Sequence, residues 1–198
     1  MALAIAVSFM PTSAFAGSKI KMTAYDQVYV TGNTAYCAGA RGLYKATLKK
    51  GKVKKVKVLF SAGRAEYPEA QVFSMKKKGK YIYFLRMMND GTWLYRVNTS
   101  GKNKKLLVYQ CCDYAIKGKK IYYEQYWEDY NKKYVMKLNG KNKKRTSTYA
   151  RLKTKRSNKS GYKMYSRVKG SYVQDFLITP KGKFYLGRVY LMDDWDDE

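Results

Sequence analysis

Histidine is absent from this sequence of 198 residues. Its absence removes the commonest general base and the commonest metal ligand of proteins, and it excludes Ser–His and Cys–His catalytic pairs. Glycoside hydrolysis needs only two carboxylates, which Glu124, Glu128, Asp129 and Asp175 could nominally supply. Nothing in the sequence places two of them at a working separation, and Glu124 is equally well explained as a solvated charge near a strand end. No phosphate-binding loop or metal-ligand spacing is present. We therefore expect a protein that is not an enzyme, with no catalytic residue, cofactor or metal.

Cysteine and acidic residues are also scarce. The three cysteines, Cys37, Cys111 and Cys112, make a poor disulfide framework, and we expect all three to be small apolar residues of strands. Only 14 Asp and Glu stand against 41 Lys and Arg, which gives a formal charge of +27 and favours polyanionic partners. Five of the acids lie in residues 193–198, a tail that is either solubilising or folds over the basic surface.

Long apolar runs are missing after the first residues. Ala2–Met10 is uncharged and apolar, and Ala14–Ala16 has the small-x-small pattern that signal peptidase reads. We predict a signal peptide over residues 1–16, a single domain over 17–192 and the acidic tail over 193–198. The basic segment that normally precedes the apolar run is absent, which an internal start at Met1 would explain. The alternative is a hydrophobic first strand. The run is too short to span a bilayer, and no later stretch is long enough.

A short phrase, Gly-x-x-(Ala/Ile/Met)-Tyr, is present four times. It begins at Gly32, Gly79, Gly118 and Gly161, at intervals of 47, 39 and 43 residues. An aromatic residue and then a Gly-Lys pair follow each copy, with the pairs at Gly51, Gly101, Gly140 and Gly182. A period of this length indicates repeated supersecondary units.

Each unit is predicted to contain four β-strands, A to D. The Gly-x-x-(Ala/Ile/Met)-Tyr motif leads into strand B, and the following aromatic residue and Gly-Lys pair mark strand C and its end. Both regions are rich in aromatic and β-branched residues between Gly and Lys turns. Adjacent residues of strand B, such as Ile82 and Tyr83, are both apolar. Since neighbouring residues point to opposite faces, strand B should be buried on both faces. Sheets stacked face to face as the blades of a β-propeller meet that requirement.

The segments Tyr81-Ile-Tyr-Phe and Ile121-Tyr-Tyr, each followed by a strand and a Gly-Lys turn, resemble YWTD-type and TolB-like β-propeller repeats over about residues 25–190. The likeness is strongest to secreted bacterial repeat proteins of that class. It implies an all-β, propeller-like fold with about four repeats of four-stranded antiparallel blades. The family usually has six blades, whereas this sequence has four repeats. The four repeats therefore form either a closed four-blade ring or an incomplete arc of a larger ring, which a dimer could complete. The acidic end of the family's motif is absent, so no ligand is carried over.

Antiparallel order places the A–B and C–D turns at one end of the sheets, and the lysines collect there. We predict a lysine-rich face for polyanions, formed by Lys76, Lys77, Lys78, Lys102, Lys104, Lys105, Lys117, Lys119, Lys120, Lys141, Lys143 and Lys144. For a secreted protein of a bacterial cell surface, the candidate partners are teichoic acid, acidic glycan, anionic lipid or nucleic acid. Solubility alone is the plain alternative explanation.

The opposite end has the B–C and D–A connections, which are predicted to hold Glu66, Glu69, Asp90, Glu128 and Asp129. Its B–C loop over residues 124–130 is the most aromatic of the chain, and Tyr126, Trp127 and Tyr130 are possible glycan-binding residues or a cap on their own blade. The alternatives to a polyanion-binding protein are therefore a carbohydrate-binding module and a structural segment of a larger extracellular assembly.

Overall fold

The computed structural model describes residues 27–62, 72–88, 91–127, 130–148 and 157–190. The predicted signal peptide, the acidic tail and the acids Glu66, Glu69, Asp90, Glu128 and Asp129 lie outside these ranges. All regular structure within them is β-strand. The described part of the chain contains no helix long and apolar enough to cross a bilayer.

Four antiparallel sheets form the fold, and in each the strands pair in chain order. The first contains β1 (Gln27–Thr31), β2 (Thr34–Ala38), β3 (Gly42–Lys49) and β4 (Lys52–Ser61). The second contains β5 (Val72–Lys78), β6 (Tyr81–Met88), β7 (Gly91–Asn98) and β8 (Lys105–Val108). The third contains β9 (Cys111–Lys117), β10 (Lys120–Trp127), β11 (Tyr130–Lys137) and β12 (Lys144–Arg145). The fourth contains β13 (Lys163–Lys169), β14 (Tyr172–Thr179) and β15 (Gly182–Tyr190).

The repeated glycines lie where the sequence predicts turns. Gly32, Gly79 and Gly118 have φ values of 50°, 56° and 58° in the turns before β2, β6 and β10. Glycine adopts this left-handed conformation without the penalty of a Cβ atom. Gly161 precedes β13 in the same way, and Gly182 begins β15, so β13 to β15 correspond to strands B, C and D of their unit.

The sheets stack in the order fourth, first, second, third. The second sheet is buried on both faces. Ile82 packs in the apolar cluster shared with the first sheet, whereas Tyr83 packs in the cluster shared with the third. The first sheet is also buried on both faces, because Ala35 packs towards the fourth sheet and Tyr36 packs towards the second. The prediction that strand B is buried on both faces is therefore confirmed for these two sheets, and the fold is propeller-like and all-β.

Within the ranges that the structure describes, the third and fourth sheets each pack against a neighbouring sheet on one face only. Ile121 and Met164 are buried, but the following residues, Tyr122 and Tyr165, are partly exposed. Among the described residues, no apolar cluster joins the third sheet to the fourth. Two-sided burial was therefore a wrong prediction for these two sheets, because local sequence does not reveal which sheets have a neighbour on each side.

Polar side chains connect neighbouring sheets as well. The Tyr114 hydroxyl of the third sheet donates to the carbonyl oxygen of Tyr83 at 3.0 Å, and the Tyr83 hydroxyl donates to that of Leu138 at 3.0 Å. The Asn158 side chain donates to the Val30 carbonyl oxygen at 2.8 Å and accepts from the Val30 amide at 2.6 Å. The abundant tyrosines thus fill space between sheets and donate hydrogen bonds to backbone carbonyls of the neighbouring sheet.

Candidate functional site

The lysine-rich end comprises the A–B and C–D turns of the first three sheets with the strand residues that flank them. Within a sheet the two turns are held together by backbone hydrogen bonds, from Leu48 to Asn33 at 2.8 Å and from Thr99 to Lys80 at 2.9 Å. Between sheets, Lys105 Nζ donates to the carbonyl oxygen of Asn139 at 3.2 Å. The predicted clusters of the second and third sheets are therefore neighbours.

The predicted lysines are nearly all accessible. Eleven of the twelve are exposed, and Lys77 is partly buried with its Nζ donating to the carbonyl oxygen of Gly79 at 2.9 Å. Several lie in strands rather than in the turns themselves: Lys76, Lys77 and Lys78 end β5, Lys117 ends β9, and Lys105, Lys120 and Lys144 begin β8, β10 and β12.

Some of these lysines also take part in packing. The Lys143 Nζ lies 4.0 Å from the Tyr134 ring centroid and donates to Gln125 at 2.9 Å. Lys104 and Lys117 lie 5.7 and 5.6 Å from the ring centroids of Phe60 and Tyr122. The exposed lysines without such a role in the described contacts are Lys76, Lys78, Lys102, Lys119, Lys120, Lys141 and Lys144.

The described residues include three carboxylates, and none lies at the lysine-rich end. Asp113 and Glu124 are cross-strand partners in the third sheet, towards its opposite end, and Asp175 is buried between the fourth and first sheets. Any anion at the lysine-rich end therefore meets no described acid there, and the lysines repel one another in its absence.

The aromatic segment predicted as a loop is mostly strand. Glu124, Tyr126 and Trp127 belong to β10, Tyr130 begins β11, and Trp127 is the cross-strand partner of Tyr130. Tyr126 is 49% exposed, so one predicted glycan-binding ring is accessible, whereas the side chains of Trp127 and Tyr130 lie outside the described residues. The loop prediction was wrong because aromatic residues favour strands and continue the hairpin almost to its tip.

Glu124 is not the solvated strand-end charge that the sequence suggests as one possibility. It is 7% exposed, its Oε1 atom is buried, and no described group donates a hydrogen bond to that atom. Its register partner Asp113 accepts a hydrogen bond from the Tyr114 amide at 2.9 Å. The structure therefore brings together a carboxylate pair that the sequence analysis missed, since Asp113 lies on a different strand and has no local motif.

Asp175 has a structural environment rather than a catalytic one. Its carboxylate accepts hydrogen bonds from the Ala40 amide at 3.2 Å, the Arg41 amide at 2.9 Å, the Tyr44 hydroxyl at 2.5 Å and the Ser166 hydroxyl at 2.7 Å. Burial raises the pKa of Asp175 above its ordinary value, and the four hydrogen bonds offset part of that rise. The carboxylate is fully enclosed and holds the fourth sheet against the first.

The cysteines differ in accessibility. Cys37 and Cys111 are fully buried, as predicted, and burial raises the pKa of both thiols above their ordinary value. Cys112 is exposed, which corrects the prediction that it is an apolar strand residue, and its Sγ lies 3.4 Å from Oδ1 of Asn131. All three are free thiols. Cys112 is the extra residue where the register between β9 and β10 shifts, because Cys111 is paired with Gln125 and Asp113 with Glu124. Cys111 packs in the apolar cluster shared with the second sheet.

No family model matches the sequence, and no curated protein matches it. Similar solved structures include a chain of the S. cerevisiae complex of Dbp5 with Nup159, Gle1, IP6 and ADP, at 10% identity and a TM-score of 0.44 over 77% of this chain and 38% of that one. A chain of a nidogen/laminin complex has 9% identity and a TM-score of 0.44 over 83% of this chain and 84% of that one.

TolB from Acinetobacter baumannii is also similar, at 12% identity and a TM-score of 0.43 over 83% of this chain and 44% of that one. This chain thus spans less than half the length of the TolB chain and of the chain from the Dbp5 complex.

Proposed function

We propose that this protein is an exported, non-catalytic binding protein whose lysine-rich end holds anionic polymers of the cell surface or its surroundings. The observation that supports the proposal is the exposure of eleven predicted lysines at one end of the stacked sheets, where no described carboxylate lies. Charges of one sign concentrated on one surface raise the local concentration of the opposite charge and speed association.

The chemistry of lysine limits the kind of recognition. An ammonium group is a compact point charge with three donors on a flexible stem, and it lacks the planar fork with which arginine binds a phosphate or carboxylate. Binding at this end should therefore depend on charge density rather than on sequence or stereochemistry. Teichoic acid, acidic glycan, an anionic lipid surface and nucleic acid all present such charge.

The test compares two triple variants with the same loss of charge. Lys102, Lys119 and Lys141 are replaced by Gln at the lysine-rich end, and Lys54, Lys55 and Lys57 are replaced by Gln on the outer strand β4 as a control. Affinity for polyphosphate and for teichoic acid is measured over a range of salt. The first triple should weaken binding and reduce the slope of log K against log salt by about 2, since each lost contact with a flexible polyanion contributes roughly 0.7.

Two results would contradict the proposal. Wild-type binding that persists unchanged in molar salt excludes an electrostatic site. Equal loss of affinity in the two triples shows that net charge alone, rather than the lysine-rich end, attracts the polymer.

A further inference from the structure

The fourth sheet has two faces of opposite character. Its inner face packs Met164, Leu177 and Val173 towards the first sheet. Its outer face, here called the cationic–aromatic face, has five cations, which are Lys163, Arg167, Lys169, Lys183 and Arg188. The same face has five rings, which are Tyr165, Tyr172, Phe176, Tyr185 and Tyr190. The pairing register places these residues on one side, because directly opposite residues of antiparallel strands share a face.

Rings and cations alternate in rows across the three strands. Phe176 has Tyr165 and Tyr185 as its cross-strand partners, with ring centroids 6.0 and 5.6 Å away. The next row along the strands holds Arg167, Gln174 and Arg188, and the Arg167 Nε donates to Gln174 at 2.8 Å. The row beyond holds Lys169, Tyr172 and Tyr190, and the two ring centroids are 4.1 Å apart.

The cations are held against the rings. Lys183 Nζ lies 4.1 Å from the centroid of Tyr165 and 4.2 Å from that of Phe176. The guanidinium carbon of Arg188 lies 4.3 Å from the centroid of Tyr172, and that of Arg167 lies 5.1 Å from Phe176. Such contacts restrict long side chains and so lower the entropy that they lose when they bind a ligand.

Among the residues that the structure describes, this face is accessible and has no carboxylate. Tyr185 and Tyr190 are 51% and 54% exposed, and Lys163, Lys169 and Arg188 are exposed as well. None of the residues in these rows is a carboxylate. A surface built to pack against another sheet would be mostly apolar, as the inner face is apart from Ser166 and Asp175. The outer face instead combines five positive charges with five rings.

We infer that the cationic–aromatic face binds single-stranded nucleic acid. A single strand alternates phosphates with flat aromatic bases, and this face alternates cations with flat aromatic side chains. Rows on one face of a strand recur every two residues, about 6.6–6.8 Å apart, so two ring rows with a cation row between them span about 13 Å. An extended single strand covers such a span with about two nucleotides. Aromatic side chains on a sheet are a known way to stack unpaired bases.

The side chains divide the binding between them. Tyr185 and Tyr190, as the most exposed rings, offer surfaces for two bases. Arg188 lies in the row between them and can bind a phosphate through two parallel hydrogen bonds, which a lysine cannot do. Lys163 and Lys169, at the two ends of β13, add charge along the strand.

This inference concerns a different surface from the lysine-rich end and a different kind of recognition. The lysine-rich end should respond only to charge, whereas the cationic–aromatic face should also respond to the presence of bases. The two can therefore be separated with probes that carry the same charge with and without bases.

The experiment compares a short oligothymidylate with an abasic deoxyribose-phosphate oligomer of equal length, with fluorescence anisotropy as the readout. The wild-type protein should bind oligothymidylate on the order of tenfold more tightly or better, as expected from base–aromatic stacking. The double variant Tyr185→Ala, Tyr190→Ala should lose that preference and retain its weaker binding of the abasic oligomer. Tyr109→Ala is the matched control, since Tyr109 is 57% exposed but lies on another surface.

The glutamine triple at Lys102, Lys119 and Lys141 serves as the second control. It should weaken binding of both oligomers by the same factor and leave the ratio of the two affinities unchanged. The proposal for the lysine-rich end can therefore fail without affecting the test of the cationic–aromatic face. Circular dichroism of each variant establishes that the sheets are intact. Photocrosslinking of a bromouracil oligomer should also label the peptides that contain Tyr185 and Tyr190.

Three results would overturn the inference. The first is equal affinity for the two oligomers. The second is tighter binding of a polyuronate than of oligothymidylate, which would assign the face to an acidic glycan. The third is found if the tyrosine double variant keeps the preference for bases but changes in molar mass by light scattering. That result would make the face a contact between copies of this chain.

Discussion

The Tyr44 hydroxyl donates a 2.5 Å hydrogen bond to Oδ2 of Asp175, a residue 131 positions further along the chain. The two side chains belong to β3 and β14, so this bond crosses from the first sheet to the fourth. The Arg41 amide donates to the same oxygen at 2.9 Å. One buried carboxylate therefore holds together two stacked sheets that are far apart in the sequence.

Replacing Tyr44 by Phe keeps the ring in the core and removes only the donor. We expect the free energy of unfolding to fall by about 1–3 kcal/mol, because a buried carboxylate oxygen loses a partner. Urea unfolding at neutral pH measures the change. Tyr109→Phe is the control, because Tyr109 is exposed and should change stability by less than about 0.5 kcal/mol. Equal stability of wild type and Tyr44→Phe would show that the bond contributes nothing net.

The stability that depends on Asp175 should change with pH in a defined direction. Because burial raises its pKa in the folded state, the folded protein binds the proton more tightly than the unfolded chain does. The stabilisation by Asp175 is then fully present below pH 3.8, which is the ordinary pKa of its carboxyl group. This stabilisation decreases as the pH rises from 3.8 through the raised pKa of the folded state. The difference in unfolding free energy between wild type and Asp175→Asn should therefore shrink over that window.

Urea unfolding of both proteins at intervals from about pH 4 to pH 7 tests this, since titration of the other groups cancels in the difference. Asp175→Asn should be the less stable protein, because its amide NH2 group would face donors from Arg41 and Tyr44. A difference that grows with pH would contradict the prediction and show that the hydrogen bonds outweigh burial.

The contact between the second and third sheets depends on Tyr114. Its buried hydroxyl donates to the carbonyl oxygens of Ser74 and Tyr83. Tyr114→Phe should lower the free energy of unfolding by about 1–2 kcal/mol through the lost hydrogen bonding. Thermal unfolding measures this against Tyr126→Phe, whose ring is 49% exposed. An identical melting temperature for the two variants would contradict the prediction.

Thiol labelling should separate the cysteines. In the native protein at neutral pH, iodoacetamide should modify Cys112 alone, because Cys37 and Cys111 are fully buried. Burial also raises the pKa of Cys112, so its rate should be below that of a free cysteine. Peptide mass spectrometry identifies the site, and labelling in urea should reach all three. Native labelling of Cys37 or Cys111 at a comparable rate would show that the sheets separate readily.

Local sequence predicted those parts of the fold that depend on short-range chemistry. The turn glycines, the four strands of the first three units and the burial of Ile82 and Tyr83 follow from turn propensity and the alternation of faces. The position of the fourth sheet beside the first does not, because it depends on contacts between residues far apart in the chain. Glu124 was open to a wrong interpretation for the same reason, since its burial comes from neighbouring strands.

The two candidate surfaces differ in how visible they are in the sequence. The lysine-rich end is visible because lysine clusters coincide with turns. The cationic–aromatic face is not visible in the sequence. Lys163, Tyr165, Arg167 and Lys169 lie at alternate positions of β13, but they form a surface only together with their cross-strand neighbours on β14 and β15. Pairing register is a property of three strands together, and single-strand patterns do not contain it.

The stacking order has a consequence for how the chain is made. The first sheet is synthesised before the second and third, but its Tyr44 side is covered by β13 to β15, which follow those two sheets in the chain. A half-made chain therefore exposes Cys37, Tyr44 and Ala46 to solvent throughout the synthesis of the second and third sheets. Contacts over such separations form slowly, because a long loop has to close before they stabilise anything. Truncated products of this chain that lack β13 to β15 should consequently aggregate through the first sheet.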